Sequence, residues 1–180
     1  GIPFVQVGSV TTTGQLTLEK AKMVPESMAL GSRGYSQRGD MLFTIAGTVG
    51  KVVLLDQAAP ARGVCIDTSL RRLRIRDRER ILPEYLGLYL RSKQAQLQIE
   101  RLISGSVIPV LSSPNLGSVV VYLPDLDTQH AIVNTFDELS RRFARRLLSA
   151  FPDVELMQEL VEEPEPPQVR QLEQVALPMP

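Results

Sequence analysis

Two apolar runs separated by a glycine-spaced loop constrain the fold more than any other feature of the sequence. The first run, MLFTIAG, covers residues 41–47, and the second, KVVLLD, covers residues 51–56. Both have the length of a β-strand, and their apolar residues are continuous rather than alternating. A strand that is apolar on both sides must be covered on both faces. The two runs therefore predict buried strands.

The remainder of the chain alternates between strand-like and helix-like patterns. Strands are predicted in PFVQVGSV and GVCIDTSLRRLRI, and a helical turn is predicted around PESMAL. The segment LPEYLGLYLRSKQAQLQIERLI predicts a helix, because its apolar residues recur along one face and Pro83 suits a first helical turn. A break in this helix is expected near Ser92. The following segment, SGSVIPVLSSPNLGSVVVYLP, predicts a return to strands and turns.

A longer helix is predicted from Asp125 or Asp127, either of which can cap its N-terminus. Apolar residues recur along it at spacings of four, three, four and four, and they form a seam of Ile132, Phe136, Leu139, Phe143 and Leu147. The seam can pack on its own domain or pair with a helix of another molecule. The spacing alone leaves both alternatives open.

The formal net charge of zero hides an asymmetry. Residues 1–149 carry 19 Lys and Arg against 13 Asp and Glu, a net charge of +6, whereas residues 150–180 carry one Arg against seven acids, a net charge of −6. The last 31 residues are also rich in proline, which predicts an acidic tail with too little apolar surface for a core. A neutral average therefore does not argue against a polyanionic partner for the preceding body.

Several classes of function find no support in the residues. The chain has a single cysteine, Cys65, and a single histidine, His130, which argues strongly against a zinc site or a Cys-His pair. The loop GTVGKV lacks the hydroxyl residue and the spacing of a phosphate-binding loop, and no other catalytic set is present. No apolar run has the length of a membrane span. We therefore expect a cytoplasmic, non-enzymatic protein without a metal or cofactor.

Three loops combine glycine with polar or basic residues. The polar, basic and glycine residues of interest in these loops and in the arginine-rich region are Arg33, Tyr35, Ser36, Gln37, Lys51, Arg62, Arg71, Arg72, Ser104, Gly105 and Ser106. The glycines and the acid expected to shape the loops are Gly39, Asp40, Gly47 and Gly50. Asp40 follows a glycine before a strand, which is typical of a turn residue or cap. The arginine-rich stretch RRLRIRDRER, residues 71–80, has an alternative interpretation as a strand edge and turn that face only solvent.

Five motifs, in order, resemble the target recognition domain of the specificity subunit of type I restriction-modification systems. They are GIPFVQVGSV, RGDMLFTIAGTVGKVVLLD, LPEYLGLYLRS, SGSVIPVLSSPNLGSVVVYLP and DLDTQHAIVNTFDEL, and they extend from residue 1 to about residue 148. The family usually begins one strand earlier, so we expect that the first strand is missing here. The resemblance also leaves open a half-size subunit, or the C-terminal domain of a fused restriction-modification or phage-exclusion adenine methyltransferase.

The resemblance implies an α+β fold: a mixed, twisted β core with small helices, then one longer C-terminal helix and the acidic, proline-rich tail. We expect a recognition domain at residues 1–124, the helix at 125–149 and the tail at 150–180. The implied function is sequence-specific recognition of double-stranded DNA that directs a DNA methylation and restriction complex in phage defence.

The implied partners are double-stranded DNA, a methyltransferase (modification) subunit or domain, the restriction subunit, and a second copy of this chain through the helix. The alternative function is a protein-interaction module that docks a methyltransferase or effector through its C-terminal helix. The resemblance implies that the polar, basic and glycine residues of interest given above contact DNA, and we expect these loops and arginines to converge in one cationic concavity.

Overall fold

The computed structural model describes residues 1–150, with side chains described as far as Arg146. Its seven strands are β1 (Ile2–Val5), β2 (Lys22–Val24), β3 (Tyr35–Ser36), β4 (Asp40–Thr44), β5 (Val52–Leu54), β6 (Val64–Ile66) and β7 (Leu70–Arg74). Its α-helices are α1 (Glu26–Leu30), α2 (Pro83–Arg91), α3 (Lys93–Leu102), α4 (Ser113–Gly117) and α5 (Leu126–Ala150). Apart from Ala150, the expected acidic tail lies outside the described residues.

The strands form two sheets. The first has the order β2-β1-β6-β3, and the second has the order β5-β4-β7. The first sheet is mixed, because β1 runs parallel to β6 but antiparallel to β2. The second is entirely antiparallel, with β4 in the centre. GVCIDTSLRRLRI therefore forms one strand of each sheet, separated by a turn at residues 67–69.

The central strand β4 is buried at all five positions, as its continuous apolarity predicts. Met41 and Phe43 pack into the larger core with α2 and α3, whereas Leu42 points to the opposite face and a smaller core. The neighbouring strand β5 divides in the same way, with Val52 in the larger core and Val53 in the smaller one. The three-stranded sheet is thus covered on both faces, and the predicted double burial of both runs is confirmed.

The predicted break near Ser92 separates α2 from α3. Ser92 adopts an extended backbone, and its hydroxyl accepts a hydrogen bond from the Ala95 N–H at 3.3 Å, which caps α3. Pro83 occupies the first turn of α2, where its missing N–H has no helical partner to lose. The two helices can therefore change direction while both cover the larger core.

The next segment differs from its prediction as strands and turns. It contains the short helix α4, which Ser112 caps by accepting a hydrogen bond from the Asn115 N–H at 3.2 Å. Residues 119–125, which follow, form no strand in the described chain. The Gln98 amide instead bonds both backbone groups of Val120, at 3.0 Å each. A side chain here replaces the neighbouring strand that the β-rich composition predicts.

The last described element is the 25-residue helix α5. Asp125 caps it, because its carboxylate accepts a hydrogen bond from the Thr128 N–H at 2.8 Å. No helix of the described residues is long and apolar enough to cross a membrane. The α+β class, with a mixed sheet, small helices and a longer C-terminal helix, is confirmed.

Candidate nucleic-acid interface

The loop between β4 and β5 is a closed turn. The Gly50 N–H donates to the Thr44 carbonyl at 3.0 Å, and the Lys51 N–H donates to the Thr44 hydroxyl at 2.9 Å. Gly47 and Gly50 have φ angles of +74° and +96°, which L side chains rarely adopt. Gly47 is exposed, whereas Gly50 is buried against the side chain of Gln96. The first glycine therefore faces outward and the second anchors the turn on α3.

A second loop, residues 104–110, projects from the end of α3 as a narrow hairpin. Ser104 and Val110 exchange two backbone hydrogen bonds, at 2.9 and 2.8 Å, and Gly105 turns the chain with a φ of +95°. All seven residues are exposed. Ser104, Gly105 and Ser106 thus lie on one projecting feature, as their proximity in sequence requires.

The two loops are bonded to each other. The Gly47 N–H donates to the Pro109 carbonyl at 3.1 Å, and the Leu111 N–H donates to the Ile45 carbonyl at 2.8 Å. Ala46 and Val110 also form an antiparallel bridge. Residues 45–51 and 104–111 therefore form one surface, here called the loop pair. This contact joins two of the three candidate loops.

Two cationic residues flank the loop pair. Lys51 follows the turn directly and is half-buried. Arg71, on β7, donates from Nε to the Ser113 hydroxyl at 3.2 Å, just beyond the hairpin. Its Nη1 also donates to the Thr68 and Leu70 carbonyls, at 3.1 and 3.0 Å. These bonds fix the guanidinium at the base of the hairpin.

A second group of candidate residues surrounds β3. The Gln37 amide donates to the Tyr35 hydroxyl at 3.2 Å, and that hydroxyl donates to the Arg62 carbonyl at 2.9 Å. The Arg62 guanidinium is exposed and forms an ion pair with Glu26 at 3.0 Å. Arg33 is exposed in the turn that precedes β3. This group, Arg33, Tyr35, Gln37 and Arg62, is here called the tyrosine group.

Ser36 and Arg72 do not present their polar groups to a surface ligand. Ser36 is fully buried, and its hydroxyl donates to the Gly34 carbonyl at 3.4 Å. Arg72 donates to the Tyr35 carbonyl, and its Nε is buried without a partner among the described residues. Arg72 instead connects β7 to β3, whereas Ser36 bonds within its own segment. The sequence pattern cannot distinguish such inward-facing residues from their exposed neighbours.

Gly39 and Asp40 form the turn that enters β4. The Asp40 carboxylate accepts a hydrogen bond from the Gln37 N–H at 2.9 Å, and Gly39 has a φ of +88°. The turn lies at the opposite end of β4 from the loop pair. Four steps along a strand span about 13 Å. The loops and arginines therefore form two separated groups, and the expected convergence in one concavity is not found.

Two exposed apolar residues at the hairpin tip were absent from the predicted contacts. Val107 is 90% exposed and Ile108 is 60% exposed. In the sequence, VIPV reads as strand material, so its apolar residues suggest burial. The available signal was the Gly-Ser turn before them and Pro109 after them, which together leave no room for a strand.

The apolar seam of α5 faces solvent. Its described members Ile132, Phe136, Leu139 and Phe143 are 40, 49, 59 and 64% exposed. The helix instead packs on its own domain through Gln129, Val133 and Ala144, which are buried. The side chain of Leu147 lies outside the described residues. Of the two alternatives for the seam, the structure leaves the apolar face available to another helix.

Ionisable groups are shifted where α5 meets α2. Burial raises the pKa of Asp137 above its ordinary value, although Arg141 and Arg91 counteract it. Burial also lowers the pKa of Arg91, whose Nη1 donates to the Thr13 carbonyl at 2.9 Å. In the described part of the chain, no three His, Cys, Asp or Glu side chains cluster in a way that could hold a metal ion. The shifted groups thus lie in a packing contact between helices.

Comparisons with known proteins agree with these features. The family model described as Type I restriction modification DNA specificity domain matches residues 1–149. The fold is similar to the crystal structure of the HsdS subunit from Thermoanaerobacter tengcongensis, with a TM-score of 0.61 and 23% identity over 86% of this chain and 40% of that one.

A second solved structure is the type-I restriction-modification system S subunit from M. genitalium. It has a TM-score of 0.48 and 17% identity over 83% of this chain and 34% of that one. The chain therefore spans less than half of either subunit. The comparison with curated protein sequences gave no match.

Proposed function

Because this chain belongs to the type I restriction-modification DNA specificity domain family, we propose that it reads a sequence in double-stranded DNA and directs a DNA adenine methyltransferase and restriction complex to it. The chain contributes recognition and its partners contribute catalysis. This role places the protein in the cytoplasm, where DNA and the partner subunits are accessible.

The loop pair is the single observation that best supports this role. Its hairpin projects exposed hydroxyl groups, and a serine hydroxyl can donate to or accept from a base edge. Neither residues 41–55 nor residues 102–124 contain an acidic side chain that would repel phosphates. Lys51 and Arg71 flank the loops with positive charge, which suits contact with the backbone of a duplex. We therefore assign base reading to the loop pair.

The tyrosine group suits phosphate contact on the same duplex. Gln37 of this group bonds the Asp40 carboxylate where β4 begins, and the loop pair follows Thr44 where β4 ends, so the strand separates them by about 13 Å, or roughly four base-pair steps of 3.4 Å. Arg33 and Arg62 are exposed, and Gln37 can add a neutral hydrogen bond. One double helix can therefore contact both groups. Ser36 and Arg72 support this surface from inside.

Fluorescence anisotropy with the full 180-residue chain tests DNA binding. A pool of random 30-base-pair duplexes should bind at low salt, and the affinity should fall steeply as NaCl increases. Each phosphate contact contributes about 0.9 to the slope of log affinity against log salt. Lys51→Ala and Arg62→Ala should each reduce the slope by about one such contact. Lys22→Ala, on the outer strand β2, is the matched control; equal slopes in all four proteins would contradict the proposal.

A role in docking is a second candidate function, and the exposed seam of α5 favours it. A helical face that presents two phenylalanines, a leucine and an isoleucine to water suits burial against an apolar face of another helix. The occupant is a helix of the methyltransferase subunit or domain, of the restriction subunit, or of a second copy of this chain. The division at residues 124 and 149 would then separate DNA reading from docking.

Seam variants distinguish docking from packing. Phe136→Ser and Phe143→Ser should leave the free energy of unfolding within about 0.5 kcal/mol of the parent, because both side chains are largely exposed. Val133→Ala removes a buried group and should lower it by about 1–2 kcal/mol. If the occupant is the modification subunit, only the seam variants should fail to co-purify with that subunit after co-expression. If the occupant is a second copy of this chain, only the seam variants should lose concentration-dependent self-association in sedimentation. Unchanged assembly would remove the docking role.

A further inference from the structure

The tip of the hairpin in the loop pair combines high exposure with apolar chemistry. Val107 is the midpoint of the seven exposed residues and is 90% exposed, more than any other large hydrophobic residue described. Ile108 beside it is 60% exposed. Both are β-branched, so their side chains have few rotamers to lose on binding. An exposed apolar pair at the tip of a projecting loop is a candidate contact surface for a ligand.

The backbone holds this tip rigidly. The would-be Cβ of Gly105 lies 2.3 Å from the Ile108 carbonyl oxygen, so the chain folds tightly back on itself. Ser104 and Val110 close the base with paired hydrogen bonds. The bond from the Gly47 N–H to the Pro109 carbonyl connects the segment after the tip to the neighbouring loop. Both ends of the tip are therefore held in place before a ligand binds, which reduces the ordering cost of binding.

The dimensions and charge suit the major groove. Two chains of a hairpin lie about 4.8 Å apart, and a groove about 12 Å wide admits a two-stranded ribbon. No acidic residue occurs in residues 102–124, and Arg71 lies at the base of the hairpin. A protein partner has no comparable feature in its favour on this loop. The flanking charge favours DNA as the occupant.

On the basis of the proposed function, we infer that Val107 and Ile108 contact the 5-methyl groups of thymines in the major groove. Thymine is the base that presents an apolar group there, and small apolar side chains are its ordinary contacts. The serine hydroxyls at the base of the hairpin then read neighbouring polar edges. The tip thereby makes this recognition domain select for A·T pairs at one or two positions.

Selection followed by removal of single methyl groups tests this assignment. The 180-residue chain is used at low salt to enrich binding sequences from random 30-base-pair duplexes. Each thymine of the enriched site is then replaced by deoxyuridine, which lacks only the methyl group. The parent should lose about fourfold in affinity for each contacted methyl. Val107→Ser and Ile108→Ser remove every methyl group of the side chain, and each variant should show no such loss at the position that its residue contacts.

Val120→Ser is the matched control, because Val120 is also an exposed apolar residue but lies outside the loop pair. It should retain the uracil effect of the parent. Enrichment without thymine at the site, without any uracil effect, or with an equal effect in Val107→Ser and Ile108→Ser overturns the methyl contact and leaves DNA recognition intact. Failure of the parent to enrich any sequence overturns the proposed function and, with it, this inference.

Discussion

Arg74 donates two hydrogen bonds to the Asp40 carboxylate across the β4–β7 pair. Its Nε lies 2.6 Å from Oδ1 and its Nη2 lies 2.8 Å from Oδ2. The Asp40 side chain is 3% exposed, whereas that of Arg74 is 47% exposed. The hydrogen bonds to this carboxylate raise the pKa of Arg74 above its ordinary value. The pair thus joins a buried anion to a cation that water can still reach.

This asymmetry predicts unequal effects of removing either partner. Arg74→Ala leaves the buried Asp40 carboxylate without its cationic partner and should lower the free energy of unfolding by about 3 kcal/mol. Asp40→Ala leaves a cation that can be hydrated, so its effect should be smaller, even though the Gln37 N–H also loses its acceptor. Urea denaturation of the two variants and of the double variant measures the difference. The double variant should be more stable than Arg74→Ala alone; the reverse order would contradict this account.

Gly50 and Gly47 form a matched pair with different surroundings. Both require a positive φ, so alanine at either position should lower stability by about 1 kcal/mol through backbone strain. At Gly50 the new Cβ would also lie 2.6 Å from Gln96 Oε1, in an amide that bonds the Gly50 and Leu90 carbonyls. Gly50→Ala should therefore lose about 1 kcal/mol more than Gly47→Ala. Thermal unfolding of both variants decides the point, and equal losses would mean that the Gln96 amide simply moves aside.

Gln129 satisfies three backbone groups from a fully buried position. Its Oε1 accepts from the Leu82 N–H at 2.8 Å, and its Nε2 donates to the Arg80 and Pro124 carbonyls at 3.0 and 3.2 Å. Gln129→Met keeps the volume but leaves these groups without partners, so stability should fall by about 3 kcal/mol. Gln129→Glu keeps an acceptor for Leu82 but loses both donor bonds and buries a charge.

The exposed Gln94 provides the control, and Gln94→Met should remain within about 0.5 kcal/mol of the parent. Chemical denaturation measures all three variants. A neutral Gln129→Met would show that water or backbone movement replaces the amide.

Tyr85 predicts a stability change at alkaline pH. Its hydroxyl donates to the Tyr122 carbonyl at 2.7 Å, and burial raises its pKa from 10.0 to about 12, with smaller contributions from Tyr89 and Tyr122. The folded state therefore keeps a proton that the unfolded chain loses near pH 10. The resulting stability is complete below pH 10 and declines as the pH increases through about 12.

Tyr85→Phe removes both the hydrogen bond and this titration. At pH 8 the variant should be less stable than the parent by about 1 kcal/mol. Between pH 10 and 12 the difference should narrow, because only the parent loses the contribution of the protonated tyrosine. Guanidinium denaturation at several pH values measures the difference. A constant difference over that interval would contradict the raised pKa.

Local sequence signals predicted several parts of the fold for clear reasons. The continuous apolar run of β4 identified a strand covered on two faces. Successive side chains of a strand point to opposite faces of the sheet, and here they enter two different cores. The break at Ser92 follows from a capping side chain near the start of α3. Each of these features depends on residues that are adjacent in the chain.

Other features depended on contacts between distant residues. Gln98 replaces a neighbouring strand at Val120, although the β-rich composition of that segment favours a sheet. The periodicity of α5 identified an apolar seam, but the helix packs through Gln129, Val133 and Ala144 on another face. Arg72 turns inward to bond the Tyr35 carbonyl of β3, and Ser36 is fully buried on that strand. No local pattern contains this information.

The sequence by itself determined most of the elements and their order, the glycine turns and the family to which the chain belongs, because these depend on local periodicity, backbone angles and motif order. The exceptions are α4 and the segment after it, residues 119–125. Only the tertiary structure decided that the Gly47 and Gly105 loops meet while the Asp40 turn lies at the other end of β4. It also decided that Val107 and the α5 seam face water. Such placements follow from strand pairing and packing between residues far apart in the chain, where one contact is chosen over others of similar local chemistry.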